Sequence, residues 1–179
     1  MRHKIVVMGV SGSGKSTLAR ELAVALEGAF IEGDEHHFAE SRDKMCRGIA
    51  LCDSDREPWL DRLAERMDEM QGTTVLSCSA LRRSYRERMR ARVAGLRFVF
   101  LEITLSAAVA RVSGRPDHEF PATLVADQFD TLEPPVGEAG VLHLSASQDS
   151  ACSMRAVMQW LSAPDGAGWK SDELELKRS

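Results

Sequence analysis

Eight residues close to the start of the chain constrain its fold more than any other segment. They read Gly9-Val10-Ser11-Gly12-Ser13-Gly14-Lys15-Ser16 and match the pattern G-x-x-x-x-G-K-[ST] at every fixed position. The apolar run 5–8 before them predicts a buried strand, and Leu18, Leu22 and Leu26 after them recur at helical spacing. Glycines in such a loop allow successive backbone amides to point at an anion. The segment therefore predicts a phosphate-binding loop between the first strand and the first helix.

This loop is expected to bind a nucleoside triphosphate. The start of the following helix adds unpaired N–H groups and a partial positive charge of about half a unit. Lys15 is expected to reach the β- and γ-phosphates, and the Ser16 hydroxyl to bind Mg²⁺. An ordinary glycine-rich turn is the alternative. The residues predicted to contact the nucleotide here are Gly9, Ser11, Gly12, Ser13, Gly14, Lys15, Ser16 and Thr17.

The bulk properties of the chain are those of a soluble domain and do not suggest a nucleic-acid or membrane partner. Its 179 residues are 44% hydrophobic and 28% charged, which is typical of a soluble globular domain. A net charge of −4 gives no indication of a nucleic-acid or membrane partner. No apolar stretch approaches the roughly 20 residues that span a bilayer, and the first strand begins too early to leave room for a signal peptide. We expect a cytoplasmic protein whose cysteines are free thiols, namely Cys46, Cys52, Cys78 and Cys152.

Strand and helix patterns alternate along the chain. Strands are predicted at residues 5–8, 29–31, 73–78, 98–101 and 141–144, each followed by a helical or polar segment. This alternation predicts a three-layer α/β fold with a five-stranded parallel sheet covered on both faces. Pro58 is expected near the first turn of its helix, where proline is tolerated, and Ser106 is expected to cap a later one. Residues 1–162 are expected to form one domain, and the polar residues 163–179 a disordered tail.

Residues 113–122 interrupt the alternation with one glycine and two prolines. A segment of this kind, placed after the fourth strand and its helix, predicts a mobile lid. Arg111 and Arg115 flank the interruption. A lid arginine that closes on the triphosphate would stabilise charge in the transition state, and structural salt bridging is the alternative.

Polar residues after the second and third strands are candidates for a second binding site. Ligands of such sheets bind at the carboxyl ends of the strands, so these residues should lie near the phosphate loop. Asp34 is expected to orient an acceptor hydroxyl and take its proton. Glu32 is either a Mg²⁺ ligand through water or a solvated loop residue. Arg82 or Arg83 would bind an anionic acceptor, because a guanidinium matches a carboxylate in bidentate geometry.

Other charged residues nearby have less specific expectations. Asp53 and Asp55 are expected to start a helix and complement its dipole. Arg56 either lines the acceptor site or has no role in it. A later run of arginines is expected on a solvated helix face, and it consists of Arg86, Arg88, Arg90 and Arg92.

Together these residues resemble the P-loop gluconokinases, which are relatives of shikimate and adenylate kinases. The resemblance covers residues 4–162. Its motifs are residues 9–17, Gly33-Asp34 with His37, Lys44-Met45 with Gly48, Asp53-x-Asp55-Arg56, Pro58-Trp59-Leu60, Ser77-Cys78-Ser79-Ala80-Leu81 with Arg82-Arg83-x-Tyr85-Arg86, and Gln128-Phe129-x-Thr131-Leu132-Glu133-Pro134. Positions 36, 38, 41 and 50 depart from the family pattern, and all of them border the acceptor side.

The resemblance implies ATP-dependent phosphorylation of D-gluconate at its 6-hydroxyl, with Mg²⁺, by a homodimer whose fold is that of the nucleoside monophosphate kinases. Another hydroxylated acid is the alternative acceptor. A nucleotide-dependent switch without an acceptor is the alternative class, although the N-K-x-D tetrapeptide of guanine-specific switches is absent. The resemblance supports Asp34 and His37 in the acceptor site, with Arg56 as a further substrate-binding candidate. It places Arg82 or Arg83 near the substrate carboxylate, and Arg111 and Arg115 near the nucleotide phosphates.

Overall fold

The structure is built on a parallel sheet of five strands. It is a computed structural model that describes residues 2–114 and 123–163. The strands are β1 (Lys4–Met8), β2 (Ala29–Glu32), β3 (Thr74–Ser77), β4 (Leu96–Glu102) and β5 (Val141–Ser145). They lie in the order β2-β3-β1-β4-β5, and every neighbouring pair is parallel. The predicted five-stranded parallel sheet is confirmed.

Helices connect successive strands in the described part of the chain. A 3₁₀ turn, Gly33–His36, follows β2 directly. The α-helices are α1 (Lys15–Ala25), α2 (Ala39–Cys46), α3 (Asp53–Glu69), α4 (Arg83–Arg92), α5 (Leu105–Ser113), α6 (Thr123–Thr131) and α7 (Ser150–Ser162).

The sheet is covered on both faces, because successive residues of its central strands point to opposite sides. Val6 and Met8 of β1 belong to a buried cluster that includes residues of α3 and α4. Ile5 and Val7 belong to a second cluster that includes residues of α1 and α7. These two cores produce the predicted three-layer arrangement.

The start of α3 corrects one expectation. The helix begins at Asp53, so Pro58 lies inside it, beyond the first turn. A capping box explains the earlier start, since the Asp55 carboxylate accepts a hydrogen bond from the backbone N–H of Cys52 at 3.1 Å. The Lys44 ammonium donates to the same carboxylate at 2.6 Å, and this bond lowers the pKa of Asp55 to about 2. Asp53 and Asp55 do occupy the first helical turn, as expected.

The start of α5 corrects another expectation. Thr104, not Ser106, is the N-cap, and its hydroxyl accepts a hydrogen bond from the backbone N–H of Ala107 at 3.3 Å. Thr104 has an extended backbone that continues directly from β4. Ser106 lies two residues after the N-cap, already inside the helix.

The arginines of α4 form only part of the solvated face that was expected: Arg88 and Arg92 are exposed, whereas Arg90 is half-buried and Arg86 is buried. Arg86 has no exposed surface. Its guanidinium donates to the carbonyls of Ala80, Leu81 and Glu133 at 2.9 to 3.0 Å, and it forms an ion pair with the carboxylate of Glu138. This network fastens the loop after β3 to the segment that precedes β5.

The other arginines of this helix pair with acidic residues. Arg88 bonds to Asp61 at 2.7 Å, and Arg92 bonds to Glu65 at 3.1 Å, both across to α3. Arg90 reaches Glu138 at 3.1 Å. Acidic side chains of α3 therefore neutralise two of the arginines of α4.

Two predicted segments fall largely outside the described residues. The predicted lid at 113–122 is described only at Ser113 and Gly114, and Arg115 lies beyond them. The predicted tail at 163–179 is described only at Ala163. Within the described ranges, the four cysteines are free thiols and no helix is both long and apolar enough to cross a membrane.

Candidate active site

The phosphate loop has the backbone conformation that its glycines predict. Gly12 has φ of +82°, and a Cβ atom there would lie 2.8 Å from the carbonyl oxygen of Ala108. Both the angle and the close approach require glycine. Gly14 is the N-cap of α1 with φ of +91°, and no described side chain caps that helix start. Amides at the start of α1 are therefore left for an anionic ligand.

Lys15 lies folded against this loop. Its side chain is buried, and its Nζ donates to the carbonyl of Val10 at 3.4 Å. Ser13 is also buried, and its Oγ has no hydrogen-bond partner among the described residues. A cation and a free hydroxyl therefore stand at the place where the loop would hold phosphate.

Oxygen donors that suit Mg²⁺ lie beside the loop. The hydroxyls of Ser16 and Ser77 are 3.1 Å apart, and Glu32 is the partner of Ser77 in the register between β2 and β3. One carboxylate oxygen of Glu32 is buried without a partner among the described residues. Mg²⁺ is usually held by one or two carboxylates together with waters and substrate phosphates. These donors fit that preference, and the described residues contain no larger cluster of acidic, histidine or cysteine ligands.

A cavity of about 360 Å³ opens next to the phosphate loop. Residues of the loop, of the segment after β2, of the region from α2 to the start of α3 and of α6 line it. Its lining includes Ser11, Lys15, Asp34, His37, Arg42, Arg56, Ser79, Asp127, Gln128 and Thr131. The expected acceptor residues Asp34, His37 and Arg56 therefore share one cavity with Lys15.

Asp34 stands on a firmly held backbone. The carbonyl of the preceding Gly33 accepts a hydrogen bond from the indole Nε1 of Trp59 at 2.9 Å. A Cβ atom on Gly33 would lie 2.4 Å from the carbonyl oxygen of Ser77, so only glycine lets β2 end this close to β3. The carboxylate of Asp34 itself is 63% exposed and available to a ligand in the cavity.

His37 is buried against the same tryptophan. The two rings stack with centroids 4.1 Å apart, and only 6% of the histidine is exposed. Burial lowers the pKa of His37 to about 4, so the imidazole is neutral near pH 7. Its Nε2 lies 4.0 Å from a carboxylate oxygen of Asp34, and its Nδ1 has no partner among the described residues.

The arginines at the cavity differ from those that the sequence emphasises. Arg82 forms an ion pair with Asp53 at 2.7 Å, and Arg83 pairs with Glu87 at 2.7 Å. Neither of these two belongs to the cavity lining, whereas Arg42 and Arg56 do. Arg42 was missed because its short polar helix has no apolar periodicity that would reveal which face meets a site.

Arg111 of α5 contacts the phosphate loop but does not line the cavity. Its guanidinium donates to the carbonyl of Gly12 at 3.2 Å and to the carbonyl of Ala146 at 2.9 Å. Both of these hydrogen bonds are with backbone oxygens, one of them in the loop itself. Thr17, by contrast, is exposed on α1 and does not line the cavity.

Gln128 of α6 is a second residue that the sequence did not single out for a role. Its Oε1 accepts a hydrogen bond from the backbone N–H of Ser11 at 2.6 Å. It belongs to the motif at 128–134 that carries the family resemblance, but no local signal connects that motif with a loop more than a hundred residues earlier.

Comparison with known proteins agrees with this geometry. The model of a family described as an AAA domain matches residues 5–135. The gluconokinase of Gluconobacter oxydans is 38% identical over 165 residues, which cover 90% of this chain and 92% of that protein. The thermoresistant gluconokinase of Escherichia coli is 39% identical over 150 residues, which cover 82% of this chain and 86% of that protein.

A solved structure gives the same result in three dimensions. The crystal structure of a gluconokinase from Sinorhizobium meliloti 1021 is similar with a TM-score of 0.83 and 38% identity, over 99% of this chain and 98% of that one. Sequence and structure thus agree over nearly the whole length of the relatives. The chain belongs to the gluconokinase family of P-loop kinases.

Proposed function

We propose that this protein transfers the γ-phosphoryl group of ATP to the 6-hydroxyl of D-gluconate and releases 6-phospho-D-gluconate and ADP. The observation that carries the proposal is a single cavity lined by Lys15 of the phosphate loop, by Asp34 and by two arginines, Arg42 and Arg56. The relatives that are named gluconokinases support gluconate as the acceptor. Assembly as a homodimer stays a prediction from the family resemblance.

The donor half of the site is the phosphate loop. Its amides and Lys15 would hold the β- and γ-phosphates, and the ammonium would neutralise charge on the transferred group. Arg111 already contacts the carbonyl of Gly12, so it stands close to the same phosphates. Arg115 is proposed to add a further cation. Mg²⁺, held by the Ser16 hydroxyl and through water by Glu32, would neutralise charge on the phosphate oxygens.

The acceptor half is centred on Asp34. As the hydroxyl oxygen of the acceptor bonds to the γ-phosphorus, the bond between that phosphorus and the bridging oxygen of ADP breaks. The hydroxyl proton passes to the Asp34 carboxylate. His37 is neutral near pH 7, and its Nε2 lies 4.0 Å from that carboxylate. It can therefore hydrogen-bond a substrate hydroxyl without adding charge.

A sugar acid also requires a partner for its carboxylate. Arg42 and Arg56 both line the cavity, and Arg56 is oriented by a hydrogen bond of 3.2 Å from its Nε to the carbonyl of Leu51. We assign the carboxylate to these two guanidinium groups. Arg82 and Arg83 suit the role less well, since each is engaged by a carboxylate of this chain.

An assay of ADP release with ATP and Mg²⁺ tests the proposed function. The panel contains gluconate, other sugar acids, shikimate and nucleoside monophosphates. Release that depends on gluconate is expected. Release with another acid but not with gluconate would reassign the acceptor, and release that is independent of every acceptor would favour a nucleotide-dependent switch.

Replacement Asp34→Asn is expected to lower kcat by about 10²-fold or more, the usual scale for loss of a general base. The affinity for ATP should stay close to that of the wild type, because Asp34 belongs to the acceptor half. Steady-state kinetics and calorimetric titration with ATP measure the two effects. Glu35→Gln is the matched control, since that carboxylate is exposed and does not line the cavity. An unchanged kcat in Asp34→Asn would remove Asp34 from the chemistry.

Replacement of Arg42 or Arg56 by glutamine is expected to raise the KM for gluconate by about tenfold or more, because a hydrogen bond to a charged group contributes about 1.5–3 kcal/mol. The KM for ATP should change much less. Arg82→Gln and Arg83→Gln are the comparison pair, for which only small changes in the gluconate KM are expected. The opposite ranking of the two pairs would return the carboxylate to Arg82 and Arg83.

A further inference from the structure

One contact between α6 and the phosphate loop has no part in the mechanism above. The backbone N–H of Ser11 donates to Oε1 of Gln128 at 2.6 Å. The glutamine is 8% exposed, and both residues line the cavity. A loop amide and a buried carboxamide are therefore joined at the boundary between the donor and acceptor halves.

The contact determines how the carboxamide is oriented. A backbone N–H can only donate, so the oxygen of the amide, and not its nitrogen, must face Ser11. The other arm of the carboxamide is then Nε2, which has two N–H donors. On a side chain that lines the cavity, such a donor suits a hydroxyl or carboxylate oxygen of an acceptor.

The helix that carries Gln128 is held rigidly on both sides. Val125 of α6 packs in a buried cluster with Val10 of the phosphate loop and with Leu81. After α6 ends, the backbone N–H of Glu133 donates to the carbonyl of Leu81 at 2.9 Å. The side chain of Glu133 accepts from the backbone N–H of Arg83 at 2.7 Å. Gln128 therefore stands on a fixed support between the loop after β3 and the phosphate loop.

We propose that Gln128 is a positioning residue that connects the two substrates. Its Oε1 holds the Ser11 amide in the phosphate loop, and its Nε2 donates to an oxygen of the acceptor. Acceptor binding then immobilises the side chain that fixes the loop, so it favours nucleotide binding, and by linkage the nucleotide favours the acceptor equally. The identity of the acceptor rests on the proposed function, whereas the connection to Ser11 does not.

Two variants separate the two arms of the carboxamide. Gln128→Met has a similar length and removes both the oxygen and the N–H donors. Gln128→Glu keeps an oxygen for Ser11 and removes the donors. Asp130→Asn is the control, because Asp130 is exposed on the same helix and does not line the cavity.

Two measurements on the full chain report on the proposal. Hydrogen exchange of the Ser11 amide, followed by NMR, reports the contact with Oε1. Calorimetric titration with a non-hydrolysable ATP analogue, with and without gluconate, reports the coupling between the substrates. We expect the wild type and Asp130→Asn to bind the analogue about fivefold or more tightly when gluconate is present, the lower end of typical coupling.

Each arm has its own expected result. Gln128→Met should lower the protection of the Ser11 amide by about tenfold, the scale of one net hydrogen bond, and should lose the coupling. Gln128→Glu should keep the protection and lose the coupling. Unchanged protection in Gln128→Met would overturn the connection to the loop, and retained coupling in Gln128→Glu would overturn the contact with the acceptor. If gluconate does not bind to the wild type, the proposed function fails, while the exchange of Ser11 still decides the connection.

Discussion

Replacement of Lys15 by alanine is expected to lower kcat by about 10³-fold or more, because it removes the cation that faces the transferred phosphoryl group. The buried ammonium lies within hydrogen-bond distance of the phosphate loop and also lines the acceptor cavity. It therefore stands where the two substrates must meet. In a site of low dielectric, water cannot supply the electrostatic stabilisation that the missing ammonium would have given.

The measurement is ADP release at saturating ATP and gluconate, with thermal unfolding as a check that the fold persists. Lys15→Met is the matched variant, since it keeps most of the side-chain volume and removes only the charge. Both variants should be equally inactive. A kcat near that of the wild type in Lys15→Met would refute an electrostatic role.

Replacement of Glu138 by alanine is expected to lower the free energy of unfolding by about 3–5 kcal/mol, the usual cost of removing one partner from a buried ion pair. Arg86 has no exposed surface and Glu138 is 9% exposed at its side chain, so the variant would leave a guanidinium in the interior without its counter-ion. The carbonyls of Ala80, Leu81 and Glu133 would still accept its hydrogen bonds, but they carry no net charge.

Urea unfolding at neutral pH measures this effect. Glu87→Ala is the control, because its pair with Arg83 is exposed and should contribute about 1 kcal/mol or less. Equal losses in the two variants would show that burial does not determine the strength of the Arg86 pair.

The difference in the free energy of unfolding between the wild type and Glu138→Ala changes with pH in a definite direction. Hydrogen bonds from Arg86 are the main cause that lowers the pKa of Glu138 below its usual value of 4.5. A carboxyl whose pKa is lowered in the folded state stabilises the protein above its unfolded pKa, and the effect is lost as the pH falls through the folded value. The difference between the wild type and Glu138→Ala should therefore shrink in acid.

The features that the sequence predicts well depend on local patterns. The phosphate loop is recognisable because its glycines, lysine and flanking elements are contiguous. The position of Asp34 follows from the rule that ligands bind where parallel strands end, and the structure places it in the cavity with Lys15. Both inferences need only residues that are close in the chain or at equivalent ends of neighbouring strands.

The features that the sequence predicts poorly depend on partners that are distant in the chain. Arg82 has the right chemistry for an acid, but Asp53, 29 positions earlier, engages it. Arg86 has the spacing of an exposed residue, but the segment at 133–138 covers it. Gln128 gains its contact from a loop 117 positions earlier. Burial and side-chain direction at these sites are set by the tertiary fold, and a local pattern does not contain them.

The phosphate loop contacts the helices on both sides of residues 115–122 through two consecutive residues. Gly12 accepts from Arg111 of α5, and Ser11 donates to Gln128 of α6. Because Ser11 and Gly12 are adjacent, Arg111 and Gln128 are both bonded to the same short piece of the loop backbone. A nucleotide that shifts this backbone would therefore displace its contact with α5 and its contact with α6 together, so binding at the phosphates is felt by both helices at once.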